Sequence, residues 1–256
     1  MGLADKPCCA LVADYELANM KLDILVVSAH PDDAELGCGG TMIQAAARGR
    51  QVGIVDLTKG ELGTRGSVEI RKNEASKALE IMGLAVRENL DFRDGFFIND
   101  ETHQMALIRV IRKYQPDVVL AAAPIDRHPD HPRASALMVT ACFLSGLERI
   151  KTENDEEPQS SWRPKALYHY MQSIFLNPDF VIDVSDYWET KMKAINAYRS
   201  QFFSGGDDPE TYISNPNFLK MVEARGIETG HSIGVNYGEG FLADRTLGVK
   251  DLFDLM

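Results

Sequence analysis

Short apolar runs alternate along the chain with charged stretches whose apolar residues recur at helical spacing. Leu22–Ser28 is apolar until its polar end, the pattern of a strand buried on both faces. Val52–Leu57, Glu88–Phe92, Asp117–Ala122, Ala166–Tyr170 and Phe180–Val184 read as further strands. Between them lie helical segments: Met42–Arg48, opened by Gly37–Thr41 and stopped by Gly49; Val68–Met82, ending at Gly83; Thr102–Tyr114, broken before Pro116; and Pro132–Leu147. The polar stretch 151–165 reads as a solvent loop. Trp188–Gln201 reads as a helix, Gly205–Pro209 as a turn, and the region near Asn217–Gly226 as a last helix. No internal repeat interrupts this rhythm. The alternation predicts an α/β, Rossmann-like architecture: a mostly parallel, doubly wound sheet with helices on both faces and a small C-terminal α/β portion.

Length adds that one core suffices. The chain has 256 residues, 45% of them hydrophobic, which predicts a single domain over 20–256. Met20-Lys21-Leu22-Asp23 looks like a natural start before a strand, so residues 1–19 read as an arm or as a stretch preceding the true start. Asp5, Asp14 and Glu16 and the lack of a clear apolar h-region argue against a signal peptide there. The net charge of −11 argues against nucleic acid and anionic membrane as partners. No apolar run is long enough for a membrane span. The cysteines, Cys8, Cys9, Cys38 and Cys142, form no Cys-x-x-Cys pair, which argues against a disulfide framework or a thiolate zinc knuckle and for a cytoplasmic protein.

Two clusters carry candidate chemistry. His30-Pro31-Asp32-Asp33 follows the first strand, and Asp126-Arg127-His128-Pro129-Asp130-His131 follows the strand Asp117–Ala122. In doubly wound sheets ligands bind beyond the carboxyl ends of the strands, which is where both clusters fall. Each alone is also a polar turn or a capped helix start, aspartate being a favoured N-cap. Together, if their strands are neighbours, they face one crevice. A histidine and a carboxylate from the first cluster with a histidine from the second make a His₂-carboxylate set, three ligands with an open fourth position, as in catalytic zinc sites. Such a metal brings the pKa of bound water to about 7, and a neighbouring carboxylate can take the proton. Adjacent aspartates divide these tasks. Spacing alone leaves open which of His128 and His131 would bind metal. The stretch Gly37-Cys38-Gly39-Gly40 lacks the Gly-x-Gly-x-x-Gly spacing of a dinucleotide loop. Its glycines more simply let the backbone pass close to the metal loop and permit tight helix packing.

His-Pro-Asp-Asp followed by a later His-Pro-Asp-His resembles the LmbE-like (PIG-L) zinc deacetylases of N-acetylglucosamine conjugates. Leu57–Gly66, Glu69–Ala75, Tyr198-Arg199-Ser200-Gln201-Phe202 and Tyr237-Gly238-Glu239-Gly240-Phe241 look like that family's bacillithiol-pathway branch. The resemblance runs from residue 22 to about 242. It implies His30, Asp33 and His131 as ligands of one zinc ion per chain, with iron(II) a candidate in cells. It implies Asp32 as general base and His128 as the group that steadies the tetrahedral intermediate or protonates the leaving amine. Tyr212 would sit near the acyl oxygen, although the Asp208–Tyr212 loop differs in length from the family pattern. Arg71 would hold sugar hydroxyls, Asp94 would accept from one, and Arg127 would meet an anionic aglycone such as malate. The implied reaction removes acetate from N-acetylglucosaminyl-malate, and the implied assembly is a homo-oligomer, with the hexamer common in the family. Rival readings are a deacetylase of another N-acetyl sugar, such as a chitooligosaccharide, and a non-catalytic metal-binding protein.

Overall fold

A computed structural model describes residues 20–203 and 209–255. The N-terminal arm expected over 1–19 and most of the turn expected at Gly205–Pro209 lie outside the described residues. Strand β1 (Ile24–Ser28) and strand β2 (Val52–Thr58) are adjacent interior strands of the sheet, and every residue of β2 is buried. Their continuous apolar character follows from that burial, since helices cover both faces. Each buried valine or leucine here contributes about 1.5–3 kcal/mol relative to an exposed one.

β3 (Val86–Phe92), β4 (Val118–Ala121), β7 (Ala166–Tyr170), β8 (Phe180–Asp183) and β9 (Gly238–Ala243) complete a seven-stranded sheet of order β3-β2-β1-β4-β7-β9-β8. β1 pairs in parallel with β2 and with β4, Val26 standing level with Ile54 and Leu120. β9 alone runs against its neighbours β7 and β8. The expected loop 151–165 carries a small antiparallel hairpin, β5 (Glu153–Asn154) and β6 (Glu157–Pro158).

Helices α1 (Asp33–Ala47) and α2 (Val68–Met82) connect the strands on the β1–β3 side, and α3 (Glu101–Tyr114) packs against α4 (Asp130–Leu144). Their ends are chemically marked. Ser67 accepts a hydrogen bond from the Ile70 N–H at the start of α2, and Gly83 ends it at φ +65°. Asp100 accepts from the His103 N–H at the start of α3. The helix expected over Trp188–Gln201 breaks instead into α5 (Trp188–Ile195) and α6 (Arg199–Phe202). The break lets two buried partners be served: the Tyr198 hydroxyl donates to Glu35 at 2.9 Å, and the Ser200 N–H donates to Glu74 at 2.7 Å. Helix α7 (Pro216–His231) packs on β9. Among the described residues no helix is long and apolar enough to cross a membrane.

The chain leaves β1 toward β2 on one side and reaches β4 on the other. β1 and β4 are therefore the switch point of the sheet, and the loops beyond their carboxyl ends open one crevice.

Candidate active site

The loop after β1 is tied down before it reaches its charged residues. Ala29 C=O accepts hydrogen bonds from the N–H and the hydroxyl of Thr58, both at 3.0 Å. Asp32 then adopts φ +113°, ψ −28°, a conformation that costs a non-glycine residue about 1–3 kcal/mol. The carboxylates of the adjacent aspartates part company here. Asp33 turns to the histidines: its Oδ2 lies 3.3 Å from His30 Nδ1 and its Oδ1 lies 3.2 Å from His131 Nε2. Asp32 turns to α2, where the Arg71 guanidinium donates to its Oδ2 at 3.0 Å.

The loop after β4 supplies the second half. Asp126 accepts the His128 N–H at 3.1 Å and the Ser173 N–H at 2.6 Å, and its Oδ1 lies 3.0 Å from His131 Nδ1. Asp130 accepts the Gly95 N–H at 2.8 Å, pairs with Arg133 at 2.9 Å, and lies 3.3 Å from His30 Nε2. Asp94, in the loop after β3, lies 3.0 Å from the same nitrogen and accepts the Leu62 N–H. His128 is half-buried, edge-on to the His30 ring at 4.7 Å and stacked on His131 at 5.1 Å.

Burial works against charge on every one of these groups, and their neighbours decide the outcome. Burial would lower the His30 pKa, but Asp130, Asp33 and Asp94 raise it well above the ordinary imidazole value. His131 goes to about 9, because Asp33 and Asp126 outweigh its burial. Asp94 is held at about 2, the His30 hydrogen bond overriding burial. Asp32 is the exception among the carboxylates. Burial raises it to about 7, Asp33 adds to the rise, and Arg71 opposes it. His128 is lowered by burial and by the neighbouring His30 and His131.

The donor set fits a divalent cation. Four carboxylates, Asp33, Asp94, Asp126 and Asp130, surround two buried imidazoles. The near nitrogens, His30 Nδ1 and His131 Nε2, both face Asp33, while the far nitrogen of His30 is bonded to Asp94 and Asp130 and that of His131 lies 3.0 Å from Asp126 Oδ1 without a well-aligned hydrogen bond. Metal-binding histidines characteristically present this outer carboxylate. Among the described residues the compact three-group sets are His30–His128–His131 and His30–Asp94–Asp130, each with ligand atoms within 4.8 Å of one another. The expected set His30–Asp33–His131 is joined instead pairwise, through Asp33.

Arg71 is the most heavily engaged of the expected substrate contacts. Its guanidinium donates to Asp32, to Gln201 Oε1 at 3.0 Å and to the Gly60 carbonyl at 3.2 Å. Gly60 stands at φ +64°, and a Cβ there would lie 1.6 Å from Arg71 Nη1. Only glycine meets both demands. Asp94, expected as a sugar-hydroxyl acceptor, faces His30 and accepts the Leu62 N–H. Arg127 and Tyr212 lie at the mouth of the same cavity, the guanidinium 4.1 Å above the Tyr212 ring, which is 46% exposed. Beneath them the cavity has a volume of about 490 Å³. Asp126, Asp130, Gln201 and Gln172, which donates to Asp33 Oδ1 at 2.9 Å, are site residues to which sequence reasoning assigned no role. Asp126 and Asp130 stood inside the second cluster. The signal that could have found them is the rule that a ligating histidine needs a partner for its other nitrogen.

Comparison with known proteins places this geometry. The family model described as PIG-L: GlcNAc-PI de-N-acetylase matches residues 25–142, a span that includes both clusters. Over 189 residues the chain is 30% identical to the diacetylchitobiose deacetylase of Thermococcus kodakarensis, covering 70% of each protein. It is 26% identical over 208 residues to a probable N-acetyl-alpha-D-glucosaminyl L-malate deacetylase 2 of Bacillus cereus, covering 77% of this chain and 91% of that protein. The solved structure of a conserved protein from Thermus thermophilus superposes with a TM-score of 0.80 at 37% identity, covering 90% of this chain and 98% of that one.

Proposed function

The chain belongs to the PIG-L (GlcNAc-PI de-N-acetylase) family, and on that premise we propose that it is a metal-dependent hydrolase that removes the N-acetyl group from an N-acetylglucosamine conjugate. The observation that carries this reading is the divergence of Asp32 from Asp33. One carboxylate joins two histidines, and its neighbour, raised toward neutrality, stands free of them beside a buried arginine. That is the division of labour that amide hydrolysis needs.

His30, Asp33 and His131 would hold one divalent ion, zinc or, in cells, iron(II). A bound ion of this kind supplies Lewis acidity to the amide carbonyl and eases deprotonation of water. Asp32 takes the proton from the attacking water, a role suited to a carboxyl poised near the working pH. Arg71 keeps Asp32 oriented through its bonds to Gly60 and Gln201. His128 delivers a proton to the departing nitrogen or steadies the oxyanion, with Tyr212 the candidate partner at the mouth. The amide C–N bond breaks, the water oxygen ends in acetate, and the sugar leaves as a free amine.

The finer reading is a malate aglycone, which makes N-acetylglucosaminyl-malate the substrate, glucosaminyl-malate the product and bacillithiol biosynthesis the setting. It is supported by the cationic Arg127 at the cavity mouth and by the likeness to the Bacillus cereus protein. The likeness to the Thermococcus kodakarensis deacetylase favours a second reading, a chitooligosaccharide. Measuring amine release from N-acetylglucosaminyl-malate, diacetylchitobiose and free N-acetylglucosamine separates them. Preference for the malate conjugate supports the first, preference for the disaccharide supports the second, and release from none of the three overturns both. A homo-oligomer, with a hexamer as the expected size, is supported by the exposed apolar Leu62, Phe96 and Ile125. Light scattering on the eluted protein would refute it by finding a monomer.

A further inference from the structure

Helix α1 begins at the metal-loop residue Asp33 and is not continuous. Cys38, at φ −144° and ψ +25°, leaves helical geometry in its middle. In an unbroken helix the Gly40 N–H would donate to the Leu36 carbonyl, four residues back. Here a buried ion pair stands between them. Glu239 Oε1 accepts the Gly40 N–H at 2.9 Å, and Lys191 Nζ donates to the Leu36 carbonyl at 2.9 Å. The two side chains meet each other at 2.6 Å, with 3% and 2% of their surfaces exposed. Glu239 Oε2 also accepts the Thr41 N–H at 2.7 Å and the Thr41 hydroxyl at 2.6 Å.

Glycines let this stretch pack closely on its neighbours, Gly39 on Lys191 and Gly40 on Val184. A Cβ on Gly39 would lie 3.1 Å from Lys191 Cγ, and one on Gly40 would lie 2.7 Å from Val184 Cβ. On the opposite side, Glu35 in the same turn is held by Arg87 at 2.5 Å and by the Tyr198 hydroxyl at 2.9 Å. The segment Asp33–Gly37 is thus cut loose from the axis of α1 and fastened separately. Lys191 and Glu239 line the same cavity as Asp33 and His30.

We infer that Lys191 and Glu239 are positioning residues for the metal loop: the pair replaces one helical hydrogen bond and so sets the direction in which Asp33 leaves the turn. Stability alone gives little reason to keep such a pair, because desolvation offsets most of its attraction. Insertion of a side chain into the helical ladder is a recognised cause of a kink. The inference deepens the deacetylase reading and rests on it for its link to turnover, but its link to metal affinity stands apart.

The test compares Glu239→Gln with wild type in zinc affinity, by competition with a chromogenic chelator, and in kcat, KM and Tm. Support for a loop ligand typically contributes about 10- to 100-fold in metal affinity or activity. The expected result for Glu239→Gln is zinc binding weaker by about that factor, with kcat reduced and KM little changed. Arg112→Lys is the control. Arg112 is buried far from the site and donates to the carbonyls of Ser145, Leu147 and Ile150. Its replacement should lower Tm and leave zinc affinity and kcat alone. Wild-type zinc affinity and kcat in folded Glu239→Gln, whatever its Tm, would overturn the inference. Should that variant not fold, Lys191→Arg keeps the charge and moves the donor away from the Leu36 carbonyl, a contact on which the inference rests. Zinc binding weaker by about fivefold is then expected, and unchanged affinity overturns the inference. If wild type binds zinc but releases no acetate from any N-acetyl sugar, the deacetylase reading fails while the affinity comparison still decides the role of the pair.

Discussion

On the floor of the cavity lie Asp33 and Asp94, backed by Asp126 and Asp130, which stand behind the histidines; each carboxylate is buried and bound by at least two partners. At its mouth, Arg127 and Tyr212 are exposed, joined by one cation–π contact of 4.1 Å, with Tyr212 also edge-on to Phe218 at 5.6 Å. The floor is over-determined, so a change there propagates through several buried charges. The mouth is loosely held, and such a contact contributes roughly 0.5–1 kcal/mol. The difference teaches where chemistry and selectivity are built. On the proposed reading the reaction belongs to the floor and the aglycone to the mouth, where variation costs the fold little.

Mutations should reproduce that ranking. His30→Ala removes the centre of the carboxylate cluster. Zinc content after dialysis should fall to that of chelated wild type, with acetate release lost; full zinc occupancy would refute the ligand assignment. Gly60→Ala comes next. Its methyl would occupy the place of the Arg71 guanidinium at a positive φ, so Arg71 must release Asp32. Turnover should fall by about 10- to 100-fold with zinc content retained, as measured by acetate release beside metal analysis. Asp130→Asn should weaken zinc binding by about tenfold, the lower end for an outer carboxylate, because Asp94 still faces the same His30 nitrogen. Arg127→Ala should be mildest, raising KM for the malate conjugate about two- to fivefold without changing kcat. An equal rise for diacetylchitobiose would remove the case for an anionic aglycone.

Legibility in the sequence follows a similar line. The β1–α4 region reads within a few residues except at the start of α1, because its strands are buried under helices and its helices carry local caps such as Ser67, Gly83 and Asp100. Both candidate clusters are visible as charged residues at the ends of apolar runs. The carboxyl-terminal part is harder. β9 goes unrecognised because Gly238 and Gly240 look like turn residues, yet a Cβ at either would strike Val181 or Met171. The expected helix Trp188–Gln201 hides a break whose cause lies in partners far along the chain, Glu35 and Glu74. Arg71, expected to hold sugar hydroxyls, has partners the sequence does not announce, Asp32, Gly60 and Gln201. Local patterns mark what a residue can do; its partners, more than a hundred positions away in several cases, decide what it does.

The central claim is that Asp32 acts on water while its neighbour holds the metal. Its most direct test is acetate release by Asp32→Asn and wild type, each with zinc content measured on the same sample. Full zinc content with turnover reduced by about 10²–10⁴-fold is the expected result. Near wild-type turnover in the zinc-loaded variant would contradict the claim.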